Sequence, residues 1–269
     1  MPVITPQHLE QLVRLESQVH YNEAPPAGVE TFVVVERPST VLLSAPHGAI
    51  TFRNSTREVW HDEDEYTAGM ALLLGELCGV SVVATIWKNT RYDPNNTRKD
   101  GLPYRTAVRR LIQTHQVRFV LDIHGASMFS DKFDPEQTID LGYRQERRLP
   151  SEEQPHPPSM ARAHIAKFEA LLDQAGKQSN PDCFVVDHNH FAALGSGTIT
   201  TLAVGENDPK KGVAVQALQL EMKPPVRTLR RFPTASLYKT HGDYRADPGC
   251  VRAMLQALAD FIDYLKAAV

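Results

Sequence analysis

The sequence is short of cysteine, of basic charge and of long apolar runs. It holds 3 cysteines, Cys78, Cys183 and Cys250, in 269 residues. Odd in number and far apart, they show none of the short Cys–Cys spacings of a thiolate zinc site, and they do not read as a disulfide framework. This predicts a reducing, cytoplasmic setting, and it leaves histidine and carboxylate as the ligands for any metal. No apolar stretch approaches the roughly 20 residues of a membrane-spanning helix, so no membrane association is expected. The N-terminal MPVITPQHLEQL lacks the charged and apolar regions of a secretory signal. Lys and Arg number 29 against 32 Asp and Glu, a formal net charge of −3, which argues against a nucleic-acid partner. No GxSxG elbow surrounds Ser44 or Ser127, so a serine nucleophile is not expected. The chain shows no internal repeat and no strong domain boundary.

What is present is ordinary for a globular protein: 42% hydrophobic and 23% charged residues. The length suits one α/β domain over residues 1–269. TFVVVE (31–36) and TVLLSA (40–45) predict a hairpin or two adjacent strands. SVVATI (81–86), RFVLDI (118–123), CFVVD (183–187), TITTLAV (198–204) and VAVQALQLE (213–221) predict further strands. Helical spacing predicts a helix from near residue 62 through Thr67, Met70, Ala71, Leu74 and Cys78. Others are predicted through Ala107–Ile112, through Ile165, Phe168 and Leu172, and through Val251–Leu265. Strands alternating with helices imply a three-layer α/β fold, a mostly parallel mixed sheet with helices on both faces. Residues 130–158 read as a long polar loop, and GENDPKKG (205–212) as a tight turn.

Ligands in such sheets collect at the carboxyl ends of strands. VLLSA ends in Pro46-His47-Gly48, RFVLDI in His124-Gly125, and VQALQL in Glu221. The acidic run Asp62-Glu63-Asp64-Glu65 precedes the helical pattern, where acidic residues also complement a helix dipole. Helical steps back from Met70 and Thr67 reach Glu63 and Asp64, while Glu65 points elsewhere. Two imidazoles and a carboxylate, with a fourth position left to water, are what a catalytic zinc needs. A separate carboxylate must then shuttle the proton to the leaving amine, and Glu221 suits that role. Its plainer reading is a salt bridge to Lys223 or Arg227. His188 and His190 read as a surface turn, His241 as a turn residue or third candidate ligand, and His61 as exposed.

SAPHG (44–48), Asp-x-x-Thr at 64–67, TRYDPNNTR (90–98), LDIHG (121–125) and LQLEMK (218–223) occur in an order that resembles the N-formylglutamate amidohydrolase family, which is related to the zinc carboxypeptidases and aspartoacylase-type deacylases. The resemblance covers roughly residues 40–225. It implies a zinc-carboxypeptidase-like fold, with His47, Asp64 and His124 as Zn2+ ligands and Glu221 as the catalytic carboxylate. It also implies Arg91, Asn96 and Arg98 as the grip on a substrate carboxylate. The carboxypeptidase spacing of His and Glu three apart would need a carboxylate at Ile50, so the third ligand must come from the acidic run. The expected activity is hydrolysis of a small N-acyl amino acid, such as N-formylglutamate or a similar carboxylate-bearing amide. Alternatives are a metallopeptidase on cell-wall or γ-glutamyl peptides and a non-catalytic metal-bound ligand-binding module. The sequence does not speak to oligomeric state.

Overall fold

The computed structural model describes residues 2–54, 59–95, 102–127, 136–144, 157–195, 197–206, 214–230 and 247–269. Its centre is a seven-stranded sheet formed by β1 (Phe32–Val35), β2 (Val41–Ala45), β5 (Ser81–Thr85), β6 (Phe119–Gly125), β7 (Ile139–Gly142), β8 (Val186–His188) and β9 (Gln216–Met222). The spatial order is β1-β5-β2-β6-β9-β7-β8. Neighbours within β5-β2-β6-β9 are parallel, β1 and β7 pair antiparallel with β5 and β9, and β8 runs parallel to β7. A separate hairpin joins β3 (Thr51–Asn54) to β4 (Val59–His61).

The apolar composition of the central strands follows from their cover. All five residues of β2 and of β5 are buried, as strands between two helical layers must be. On one face Leu43, Leu121 and Leu218 pack against α1 (Pro6–Glu16), α2 (Thr67–Cys78), α4 (Arg162–Ser179) and α6 (Pro248–Ala267). On the other, Leu42, Val120 and Ala217 pack against α3 (Pro103–His115) and α5 (Ile199–Gly205). The expected three-layer architecture is therefore present. The terminal helix starts where its sequence directs: Asp247 accepts hydrogen bonds from the Gly249 and Cys250 amides, and Pro248 opens the first turn.

Several expectations are corrected. TITTLAV forms α5, because Thr198 caps it through Thr201 N and Ile199, Leu202 and Ala203 bury at helical spacing. The β-branched run therefore follows its cap and its packing instead of its strand propensity. β1 and β2 do not pair with each other, since β5 lies between them. The polar stretch 130–158 contains β7, whose Ile139 and Leu141 are buried between β9 and β8. The second helix begins at Thr67, so residues 62–66 reach the sheet as a loop. Cys183 and Cys250 form a disulfide that ties the chain after α4 to the first turn of α6, while Cys78 is free and buried. With that bridge the sequence ground for a reducing compartment falls. No helix among the described residues is long and apolar enough to cross a membrane.

Candidate metal centre

Three adjacent strands, β2, β6 and β9, end side by side at one edge of the sheet. The chain leaving β2 carries His47, β6 carries His124, and β9 carries Glu221 in direct register with His124. Asp64 reaches this edge from the loop before α2. Its amide donates to His47 O at 2.7 Å, and its own carbonyl accepts from Thr67 N at 3.1 Å and Thr67 Oγ1 at 2.7 Å. All four side chains are buried.

The two imidazoles converge on one carboxylate oxygen. Asp64 Oδ2 lies 3.5 Å from His47 Nδ1 and 3.4 Å from His124 Nδ1, and the rings stand edge to face with centroids 5.0 Å apart. The far nitrogen of each ring is held from behind. Asp93 Oδ1 is 2.7 Å from His47 Nε2, and Asp93 Oδ2 accepts from Arg53 Nε at 3.2 Å. Asp122 Oδ2 and Asn95 Nδ2 each stand 3.2 Å from His124 Nε2. On His47, the Asp93 carboxylate fixes the proton at Nε2 and turns the Nδ1 lone pair to the front, the arrangement that prepares histidine for a metal.

Two front atoms, His47 Nδ1 and Asp64 Oδ2, are buried without an aligned hydrogen-bond partner. Orphaned polar atoms in a buried cluster call for a missing partner, and a divalent cation between these donors fits. His61 adds to the set: His47, His61 and Asp64 offer ligand atoms within 4.8 Å of one another. Instead of being exposed, His61 is half-buried and stacks on His47 with ring centroids 3.7 Å apart. Its Nδ1 is 2.6 Å from Asp62 O, which leaves Nε2 as its acceptor.

The charges agree with this reading. Burial opposes ionisation of His47 and His124, yet Asp93 and Asp64 raise the first and Asp122 and Asp64 the second above the ordinary imidazole value. Asp64 is likewise opposed by burial but held well below the carboxylate range by the close His124 and His47 rings. The raised values reflect the demand of these carboxylates for positive charge, which a cation would meet. Burial, followed by the charge of His47, holds His61 down to about 3, so it stands neutral as a ligand must. Burial pushes the Glu221 carboxyl up to about 7, with Asp64 and Asp140 adding to the rise and His124 opposing it.

The structure thus brings together His47, Asp64, His124 and Glu221. Glu221 accepts from Gln219 Nε2 at 2.9 Å, and of Lys223 and Arg227, the partners in its plainer reading, Arg227 donates to the Met222 and Glu65 carbonyls instead. Arg91 is exposed, with its amide held by Asn89 Oδ1. Asn96, Arg98 and His241 lie outside the described residues. Sequence reasoning missed Asp93 and Asn95, which lie in the TRYDPNNTR segment yet hold the histidines, and Asp122, whose signal was its place two residues before His124 on one face of β6. His188 pairs with Glu169 at 3.1 Å, and His190 pairs with Asp187. Ser44 is buried against the Tyr104 hydroxyl at 3.0 Å.

No protein-family model matches the chain, and no curated protein matches it in sequence. Solved structures do match in fold. N-formylglutamate amidohydrolase from Ralstonia eutropha JMP134 superposes with a TM-score of 0.57 at 12% identity, covering 90% of this chain and all of its own. The gene product Atu2144 from Agrobacterium tumefaciens superposes with a TM-score of 0.51 at 13% identity, covering 91% of this chain and 98% of its own. Over nearly its whole length, this chain has the fold of an N-formylglutamate amidohydrolase.

Proposed function

We propose that this chain is a zinc-dependent amidohydrolase acting as a single α/β hydrolase domain over residues 1–269. Its substrate would be a small N-acyl amino acid, N-formylglutamate or a similar carboxylate-bearing amide. The observation that carries the proposal is the convergence of His47 Nδ1 and His124 Nδ1 on Asp64 Oδ2, with Glu221 beside them. The shared fold with an N-formylglutamate amidohydrolase supports it.

His47, Asp64 and His124 would hold the ion, and the neutral His61 Nε2 offers a further ligand atom. Zinc bound there supplies a Lewis acid that polarises a carbonyl and makes water nucleophilic near neutral pH. The chain's own groups do the rest. Asp93 orients the His47 imidazole and keeps its front lone pair forward, and Asp122 and Asn95 flank the far nitrogen of His124. Glu221, held at about 7 by burial, is matched to accept a proton from water and return it to the leaving amine. Arg91, Asn96 and Arg98 are the proposed donors to the substrate carboxylate, as paired guanidinium contacts favour.

The test is hydrolysis of a panel of N-formyl and N-acetyl amino acids and γ-glutamyl peptides, with metal content measured on the same preparation. The proposal expects chelator-sensitive release of amine from acyl amino acids and bound zinc lost in His47→Ala. Full activity in His47→Ala with normal zinc content would refute it.

A further inference from the structure

Between Asp64 and α2 lies the Glu65–Tyr66 peptide, whose two polar ends meet a guanidinium and a carboxyl group. Its carbonyl oxygen accepts from Arg227 Nη1, and its N–H donates to Glu16 Oε1 at 2.6 Å. Both groups are themselves fixed. Glu16 closes α1 and also accepts from Gly69 N at 2.9 Å and from the Tyr21 hydroxyl. Arg227 follows β9 and donates through Nε to Met222 O at 2.9 Å. Glu16, Tyr66 and Arg227 are all buried.

The geometry is specific. The oxygen end of the peptide dipole faces the guanidinium, a charge-assisted hydrogen bond, and the N–H end faces the Glu16 carboxyl, which burial raises to about 7. Tyr66 holds a left-handed backbone at φ 70° without being glycine, a conformation that persists only where its surroundings enforce it. The guanidinium also lies flat on Gly125, the residue after His124. A Cβ at that position would stand 2.7 Å from Arg227 Cζ and 2.8 Å from Nε. One side chain therefore touches the segments that carry Asp64, His124 and Glu221.

We propose that Arg227 and Glu16 are positioning residues that clamp the Glu65–Tyr66 peptide from its two ends and so hold Asp64 at the metal. This rests on the reading of Asp64 as a metal ligand. The clamp acts through the ligand's backbone and not through contact with substrate. It also accounts for a buried arginine whose partners among the described residues, two carbonyls and the Thr228 hydroxyl, include no carboxylate.

The experiment uses the full chain with Arg227→Lys, Glu16→Gln and Gly125→Ala. Arg227→Lys keeps the charge and loses the fork, Glu16→Gln keeps the shape and loses the charge, and Gly125→Ala displaces the guanidinium without altering it. Zinc affinity is measured by chelator competition, Co2+ coordination by visible absorption, and folding by melting in chelator. The clamp predicts cooperative melting with zinc affinity down about 10- to 100-fold, the range for groups that orient metal ligands, and an altered Co2+ spectrum. Wild-type zinc affinity and Co2+ spectrum in whichever of these variants fold overturn it. Asp64→Asn separates the two failures. If it loses zinc while the clamp variants keep it, the clamp alone is wrong. If it binds zinc as the wild type does, Asp64 is not a ligand and both readings fall.

Discussion

Replacing Glu221 by glutamine separates the chemical role of this carboxylate from its structural cost. The residue is 7% exposed and its carboxyl is raised from 4.5 to about 7, chiefly by burial. A folded-state value above the unfolded one means that the protonated form favours folding. That contribution is whole below about pH 4.5 and is lost as pH rises through about 7. The ionised group then costs the metal-free protein up to about 3 kcal/mol. Glutamine has nearly the same shape, can still accept from Gln219 through its carbonyl, and cannot ionise. Melting in chelator should therefore show the variant close to wild type at pH 5 and more stable by several degrees at pH 8, at about 2–4 °C per kcal/mol for a protein near this size. The same variant should lose roughly 10²- to 10⁴-fold in kcat/KM if Glu221 transfers protons. A variant less stable than wild type at pH 8 would show that Glu221 serves as a stabilising ion-pair partner. Unchanged turnover would remove it from the chemistry.

Other consequences are as specific. Gly48→Ala places a Cβ 2.3 Å from Thr85 O and 2.5 Å from Ala68 Cβ, so the backbone beside His47 must move. A loss of about 1–3 kcal/mol in denaturant melts and weakened zinc binding are expected. Cys183→Ser opens a bridge spanning 67 residues. It should cost about 2–5 kcal/mol, and a reducing agent should lower the wild-type Tm while leaving the variant unmoved. Arg91→Ala should raise KM for carboxylate-bearing amides with kcat nearly unchanged, and equal KM values for acids and their amides would remove Arg91 from substrate binding.

The apolar runs of β2, β5, β6 and β9 and the stripe of α6 were legible because burial on both faces, or on one helical face, writes itself into consecutive residues. His47, His124 and Glu221 were legible as polar residues interrupting those runs at strand ends. β7 was not, since four residues with Asp140 among them carry too little periodicity inside a polar stretch. α5 was misread because its cap and its packing decide over the preference of Ile199, Thr200 and Thr201 for strands. The disulfide depends on a contact across 67 positions, which local spacing cannot report. Asp93 and Asn95 stood within a segment read as substrate-binding, and only the tertiary path of that loop sets them behind the histidines. His61 looked exposed because its partner on the other side of the stack, His47, arrives from a different strand.

The most direct test of the central claim is a crystal structure of the zinc-loaded protein with anomalous data at the zinc edge. The account predicts one strong peak within about 2.0–2.2 Å of His47 Nδ1, His124 Nδ1 and Asp64 Oδ2, with Glu221 close by and outside the coordination sphere. A peak elsewhere, or one that leaves out either histidine, would contradict it.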